Sequence, residues 1–139
     1  MRDIALEKLI PQRSPIVMVD GLLEVEAERA VTSFTVRSDN YFIDTDGCLA
    51  EAGLIEHIAQ SASAFVGYKA VEKGADAPPV GYIGEVKRFD CRFRPRTGDR
   101  LLTVVSVMAE AEGVILIQGT TRTDGGIAAE TQMKVYVKA

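Results

Sequence analysis

The sequence of 139 residues contains no tryptophan, a single histidine and only two cysteines, Cys48 and Cys91. Two distant cysteines make neither a disulfide framework nor, with one histidine, the ligand spacing of a zinc site, so we expect no metal. A reducing, cytoplasmic location is the expectation for such a chain. The longest uncharged stretch of the main predicted helix, His57 to Tyr68, has twelve residues. A membrane-spanning helix needs about 20, so we expect no membrane span.

Nucleotide-binding motifs are also missing, because no Gly-rich loop of the P-loop or dinucleotide type follows a predicted strand. Charged residues near the start argue against a secretory signal peptide, namely Arg2, Asp3, Glu7 and Lys8. The net charge is −4, yet the segment from Lys87 to Arg100 holds six of the sixteen basic residues. An acidic chain with one basic segment is a poor candidate for nucleic-acid binding and a better one for an acidic partner or a phosphate-bearing ligand.

The length predicts one domain over residues 1–139. Hydrophobic periodicity, with Gly and Pro as punctuation, predicts a short helix, two strands, a long helix and four long strands. Their bounds are Ile4–Ile10, Gly21–Glu26, Ala30–Arg37, Leu49–Lys73, Val80–Phe93, Leu101–Ala109, Val114–Thr123 and Ile127–Val137. This order predicts an α+β fold in which an antiparallel meander wraps around one helix.

The long helix is rich in alanine, serine and glycine, which lets other parts of the chain approach its backbone closely. Its large apolar residues fall on one stripe, and Glu56 and Gln60 lie one turn apart on the opposite side, together with Ser63 and Gly67. His57 points about 100° away from Glu56. The two side chains can therefore act on one substrate only if a second subunit takes part.

These residues also have simpler interpretations. A Glu and a Gln on the polar side of a helix are more often solvated than catalytic, and a lone histidine such as His57 is more often a buried, hydrogen-bonded ring. Asp44, Thr45 and Asp46 precede the helix, where such residues are more often N-caps than catalytic acids. Gly74 has the position of a residue that ends a helix. Helix geometry alone leaves both interpretations open.

Three segments, taken together, resemble the FabZ/FabA-type 3-hydroxyacyl-(acyl carrier protein) dehydratases. LIPQRSPIVMVDGLLEVE, from Leu9 to Glu26, is similar to the opening pattern LxPhRxPxLxVD. LIEHIAQ, from Leu54 to Gln60, is similar to the helix segment E-A-x-x-Q. RFDCRFRPRTGDRL, from Arg88 to Leu101, resembles the strand and turn K-x-R-F-R-R-P-V-x-P-G-D-x-L. The resemblance implies the hotdog fold, Glu56 as the catalytic carboxylate, and a substrate carried on the phosphopantetheine of an acyl carrier protein with no other cofactor.

The loop before the helix departs from the family pattern. In the family, a histidine in a G-H-F-P-G-x-P loop works with the helix carboxylate of the neighbouring subunit, and a backbone N–H near the helix start polarises the thioester carbonyl. Here the loop reads NYFIDTDGCLAEAG, and a gapless count back from Glu56 places Phe42 where the histidine stands. Dehydratase-like proteins of the aryl-polyene and flexirubin pigment type resemble this chain in having a poorly matched loop.

Three functions are compatible with this half-matched motif. The first is a divergent dehydratase in which Glu56 and His57 are catalytic, with His57 or a loop aspartate in the missing role. The second is a helper subunit that pairs with an intact dehydratase. The third is a hotdog thioesterase whose helix carboxylate activates water. The residues expected to contact the substrate are Phe42, Asp44, Asp46 and Gln60.

The arginines Arg92, Arg94 and Arg96 alternate with apolar residues, so one face of the predicted strand is basic. Charges on an exposed strand edge also serve simply to block aggregation. As a functional surface, these arginines would dock an acidic acyl carrier protein and its phosphate. The family resemblance implies a homodimer or higher homo-oligomer, and a heterodimer with an intact dehydratase is the alternative.

Overall fold

The computed structural model describes residues 9–10, 16–74 and 80–138. Within them, one helix and six strands follow in the predicted order, which confirms the α+β layout. The strands are β1 (Gly21–Val25), β2 (Arg29–Thr35), β3 (Val80–Cys91), β4 (Arg100–Ala111), β5 (Val114–Thr123) and β6 (Gly126–Lys138), and the helix is α1 (Glu51–Glu72). The predicted helix Ile4–Ile10 lies for the most part outside the described residues. No helix in the described ranges combines the length and the apolar character needed to cross a bilayer.

The six strands form one antiparallel sheet in the order β1-β2-β4-β5-β6-β3. The prediction of a four-strand meander is therefore wrong for β3, which pairs with β6 at the far edge rather than with β4. Strand β3 ends at Cys91, two residues earlier than predicted, and residues 92–99 then cross from that edge to β4. A connection that must pass two intervening strands cannot be a tight hairpin turn. This crossing brings the arginine segment beside the loop before α1.

The turns that join β4 to β5 and β5 to β6 are the two predicted hairpins. Glu112 and Gly113 form a two-residue turn, and both have positive φ angles, 50° and 81°. Positive φ at both positions is the geometry of a type I′ turn, whose twist matches that of the strands. Gly126, after the second turn, also has a positive φ of 113°.

The helix is buried on nearly all sides, which rules out the simpler interpretation of a solvated polar side. Gln60, Ser63 and Gly67, which lie on that side, are buried. The small residues explain the difference, because a methyl group on Gly67 would overlap the backbone carbonyl of Leu9. The sheet covers one side of α1, and the segment containing Leu9 covers part of the other.

The helix begins at Glu51 with Ala50 as its N-cap, and no side chain caps it. The predicted caps among residues 44–46 are therefore wrong. At the other end, Lys73 is the C-cap and Gly74 follows with a φ of 98°, as predicted for a residue that ends a helix. The uncapped start leaves backbone N–H groups available at the positive end of the helix dipole.

Candidate functional site

The side chains of Glu56 and Gln60 are in direct contact on α1. The amide Nε2 of Gln60 donates a hydrogen bond to Glu56 Oε2 at 2.7 Å. Glu56 is half-buried, whereas Gln60 is fully buried. Their spacing of one helical turn predicted that they share one space, and the structure confirms it. One carboxylate oxygen is thus held by the fold, and within the described residues the other, Oε1, has no hydrogen-bond partner.

The amide of Gln60 is itself held by the extended segment that precedes β1. The backbone N–H of Met18 donates to Gln60 Oε1 at 2.6 Å, and Gln60 Nε2 donates to the carbonyl of Ile16 at 2.8 Å. An N–H can only donate and a carbonyl can only accept, so these two contacts determine which end of the amide is oxygen. All hydrogen-bonding groups of this buried amide are satisfied, which is what burial of a polar side chain requires.

The ring of His57 is fully buried and both of its nitrogens are engaged inside the fold. Nδ1 lies 2.6 Å from the carbonyl oxygen of Met18, and Nε2 lies 2.7 Å from the hydroxyl of Thr103. Burial lowers the pKa of His57 from its ordinary value of 6.5 to about 4, against the opposing effects of the Met18 carbonyl and the Asp20 charge. The ring is neutral at pH 7 and has no surface that a substrate could touch. The prediction that His57 acts directly on the substrate is therefore corrected.

Asp44 and Asp46 face Arg94 rather than an open site. Arg94 Nη1 lies 2.6 Å from Asp44 Oδ2, and Arg94 Nη2 forms an ion pair with Asp46. The pKa of Asp46 is lowered, first because its carboxylate accepts a hydrogen bond from the N–H of Cys48 and then because of Arg94. These contacts tie the loop before α1 to the β3–β4 connection. Their geometry gives both aspartates a structural partner in place of the expected substrate.

Phe42, at the position where the family histidine stands, is built into the start of the helix. Its carbonyl accepts the N–H of Ala50 at 2.9 Å, and its N–H donates to Asn40 Oδ1 at 2.8 Å. A methyl group on Gly53 would overlap the Phe42 side chain. The rings of Tyr41 and Phe42 meet edge to face, with their centroids 5.1 Å apart, and Tyr41 is largely exposed. A phenyl ring cannot transfer a proton, so position 42 of this protomer contributes shape but no acid or base.

The three arginines predicted for docking do not form one free basic face. Arg94 is occupied by the two loop aspartates, and Arg92 lies 3.9 Å from Glu130 on the surface. Arg96 is exposed, and its side chain forms no ion pair within the described part of the chain. A surface depression of about 490 Å³ lies beside it and is also lined by Arg100. Docking of a carrier protein by Arg92 and Arg96 stays a prediction, whereas Arg94 is paired with the loop aspartates. Arg100, which lines the same depression as Arg96, was not among the predicted residues.

Sequence reasoning missed Met18 and Thr103, which hold the two helix side chains in place. Met18 acts through its backbone, so its side chain carries no signal. Thr103 carries one, because it stands at a core-facing position of β4 between Leu101 and Val105, all three of which are buried. A polar residue in the apolar phase of a strand indicates a buried hydrogen-bond partner. Within the described residues, no cluster of three or more histidine, cysteine or acidic side chains is arranged to hold a metal ion.

Comparison with known proteins gives one consistent family. A family model described as ApeP-like, ApeP dehydratase, matches residues 4–139. The 3-hydroxyacyl-[acyl-carrier-protein] dehydratase FabZ of Nitratiruptor sp. is 23% identical over 141 residues, covering 96% of this chain and 95% of that protein. FabZ of Thermotoga maritima is 26% identical over 140 residues, with coverage of 96% and 95%.

Solved structures agree on the fold. The structure described as the dehydratase heterocomplex ApeI:P from Xenorhabdus doucetiae matches with a TM-score of 0.90 and 19% identity, covering 99% of this chain and 93% of that one. A hypothetical thioesterase from Streptococcus pneumoniae, solved with coenzyme A, matches with a TM-score of 0.65 and 12% identity, covering 86% and 85%. These matches confirm the predicted hotdog fold.

Proposed function

The chain belongs to the ApeP-like dehydratase family, and we propose that it supplies Glu56 to a site that dehydrates 3-hydroxyacyl thioesters and is completed by a second chain. The observation that carries this proposal is the isolation of the Glu56 carboxylate. It is half-buried, one of its oxygens is held by Gln60, and the groups predicted to share proton transfer are otherwise engaged. His57 is sealed in the core, and Asp44 and Asp46 are paired with Arg94.

Dehydration of a 3-hydroxyacyl thioester requires three groups. A base removes the Cα proton, an acid protonates the departing hydroxyl, and a donor stabilises the negative charge on the thioester oxygen. Glu56 provides one of the two proton-transfer groups. The backbone N–H groups of Glu51 and Ala52, in the uncapped first turn of α1, suit the third role, because they stand at the positive end of the helix dipole. This protomer leaves one proton-transfer group unfilled.

A second chain is the source we propose for the missing group. A solved structure of similar fold is described as the dehydratase heterocomplex ApeI:P. The apolar cavity between α1 and the sheet also favours a shared site. It is lined by residues such as Phe65 and Val105, and its accessible volume is about 10 Å³. A space of that size holds about one water molecule, so an acyl chain has to lie outside it.

We propose an acyl carrier protein as the donor of the substrate. The FabZ relatives are described as acting on 3-hydroxyacyl groups carried by this protein. Arg96 and Arg100 border one surface depression, which Asp99 and Asp124 also line, and the two guanidinium groups would bind an acidic partner or the phosphate of its pantetheine arm. The phosphopantetheine arrives with the substrate, so no resident cofactor is needed for the reaction.

The test is an assay of the purified chain with a 3-hydroxyacyl-carrier-protein, alone and after addition of an intact FabZ-type dehydratase subunit. Enoyl product from the chain alone would mean that this sequence carries both proton-transfer groups, which would contradict the unfilled group inferred above. If the mixture forms more enoyl product than the added subunit forms by itself, a site shared with a different chain is supported. Release of free acid would instead indicate a thioesterase. Absence of product and of any enhancement in both arms would contradict the proposal.

A further inference from the structure

Two sets of hydrogen bonds, joined through the backbone of Met18, connect the sheet to Glu56. Their members are Thr121, Thr103, His57, Met18, Gln60 and Glu56, called the positioning chain below. The hydroxyls of Thr103 and Thr121 lie 2.7 Å apart, and the Thr103 hydroxyl lies 2.7 Å from His57 Nε2. Both threonines and the histidine are fully buried. No water is needed to bridge any of these contacts.

The direction of the first half of the positioning chain follows from one carbonyl. The Met18 oxygen can only accept, so His57 Nδ1 carries the proton and donates to it. The neutral ring then has its lone pair on Nε2, and Thr103 must donate its hydroxyl proton there. Thr103 can in turn only accept from Thr121. One tautomer of His57 therefore satisfies every contact.

The second half continues in the same direction. The N–H of Met18 donates to Gln60 Oε1, and Gln60 Nε2 donates to Glu56 Oε2. The Met18 residue is thus held at its N–H by Gln60 and at its carbonyl by His57. Each donor points toward Glu56. The N–H and the carbonyl of Met18 belong to different peptide groups, so Met18 joins the two halves by fixing its backbone in place and not by relaying polarisation. The last acceptor is a carboxylate, which gains most from such a donor.

We infer that the positioning chain holds Glu56 Oε2 in place and presents Oε1 to the substrate, with Thr103, His57 and Gln60 as positioning residues. This inference rests on the proposed function of Glu56. The FabZ/FabA-type pattern has alanine at the position after the carboxylate, where this sequence has His57. A carboxylate fixed in one rotamer reacts faster than one that samples several.

A second pair of buried hydroxyl groups joins the helix to the sheet without being part of the positioning chain. Thr32 Oγ1 lies 2.7 Å from Ser61 Oγ, and Ser61 donates to the backbone carbonyl of His57 at 2.8 Å. This pair ties α1 to β2 and makes no contact with the Glu56 or Gln60 side chains. Thr32 and Thr103 are both fully buried strand threonines that bond a helix side chain. Thr32→Val is therefore a matched control for Thr103→Val.

The first experiment reads the tautomer by NMR of protein labelled with [15N]histidine, in which the single histidine gives one pair of ring signals. A neutral ring protonated at Nδ1 at pH 7 is expected. A charged ring, or one protonated at Nε2, would overturn the inference. This measurement does not depend on enzymatic activity, so it stands if the proposed function fails.

The second experiment compares Thr103→Val with Thr32→Val. We expect Thr103→Val to speed exchange of the Gln60 side-chain amide protons about 10-fold, and Thr32→Val to leave it unchanged. Thr103→Ser keeps the hydroxyl and should restore slow exchange. Equal exchange rates in the two valine variants would overturn the positioning chain. If Thr103→Val does not fold, Thr121→Val removes the outermost donor and serves the same comparison.

The third readout is kinetic. A general acid or base contributes about 100- to 10,000-fold to rate, and loss of its positioning removes part of that contribution. We therefore expect Thr103→Val to lower kcat by about 10-fold with KM nearly unchanged. Thr32→Val should retain full kcat. Equal kcat in the two variants would overturn a positioning role. If the wild-type protein makes no product in any arm, the proposed function is contradicted, and the tautomer and exchange measurements still decide whether the positioning chain exists.

Discussion

Gln60 Nε2 donates a hydrogen bond to Glu56 Oε2 at 2.7 Å, one turn along a helix that is buried on nearly all sides. In most amphipathic helices such a pair would be solvated on the polar face. Here the Ile16–Met18 segment covers Gln60 and leaves Glu56 half-exposed. The carboxylate is therefore both fixed and accessible, which is the combination that a proton-transfer group needs.

Gly67→Ala tests the close approach that makes this helix central. The new methyl group would overlap the carbonyl of Leu9, and overpacking costs about 1–3 kcal/mol. An alanine in a helix interior would otherwise be favoured over glycine by about 1 kcal/mol. Denaturant unfolding should therefore show a less stable variant. A variant about 1 kcal/mol more stable than the wild type would show that Leu9 does not pack there.

Arg96→Glu tests the carrier dock. Reversal of one exposed charge at a docking surface changes binding by about 1 kcal/mol, or roughly fivefold in KM. We expect KM to rise for carrier-bound substrate and to stay constant for a short free thioester. Arg88→Glu is the control, because Arg88 is equally charged, exposed, and lies on β3 beside Asp90. The dock is disproved if both substrates are affected alike, or if Arg88→Glu has the same effect.

His57 makes the stability of the protein depend on pH. Its pKa is about 4 in the folded state because of burial, against 6.5 when exposed, so the unfolded chain binds the proton first as pH falls. Stability is therefore full above pH 7 and is lost between about pH 7 and pH 4, by roughly 3 kcal/mol.

The control for this effect is His57→Asn, which cannot titrate there, while its carboxylates titrate as in the wild type. The stability difference between the two proteins should shrink by that amount as pH is lowered, in urea unfolding at several pH values. Parallel curves would contradict a buried, neutral His57.

Local sequence patterns were sufficient to predict the helix and the strands, but not which strands pair with each other. Periodicity and Gly/Pro punctuation predicted α1 and β5 to within two residues, because side-chain period and turn chemistry are local properties. The partner of β3 depends instead on where residues 92–99 cross the sheet. No periodicity in the strand encodes that crossing, so a meander was the wrong prediction.

In the candidate site, too, contacts within one helix were predictable and contacts between distant segments were not. The Glu56–Gln60 contact follows from spacing along one helix, and it was predicted. The pairing of Arg94 with Asp44 and Asp46 joins residues about fifty positions apart. Alternation alone placed Arg94 on a free basic face. Burial of His57 was the simpler interpretation of a lone histidine, and the helix pattern could not choose it, because the covering residues Met18 and Thr103 come from other elements.

The most direct measurement of the central claim is single-turnover conversion of a 3-hydroxyacyl-carrier-protein by the wild-type protein and by Glu56→Gln, each alone and with an intact FabZ-type subunit. Glu110→Gln, at an exposed position near the end of β4, is the matched control. We expect Glu56→Gln to lose about 100-fold or more of the enoyl product attributable to this chain, and Glu110→Gln to retain it. Wild-type rates in Glu56→Gln would contradict the account.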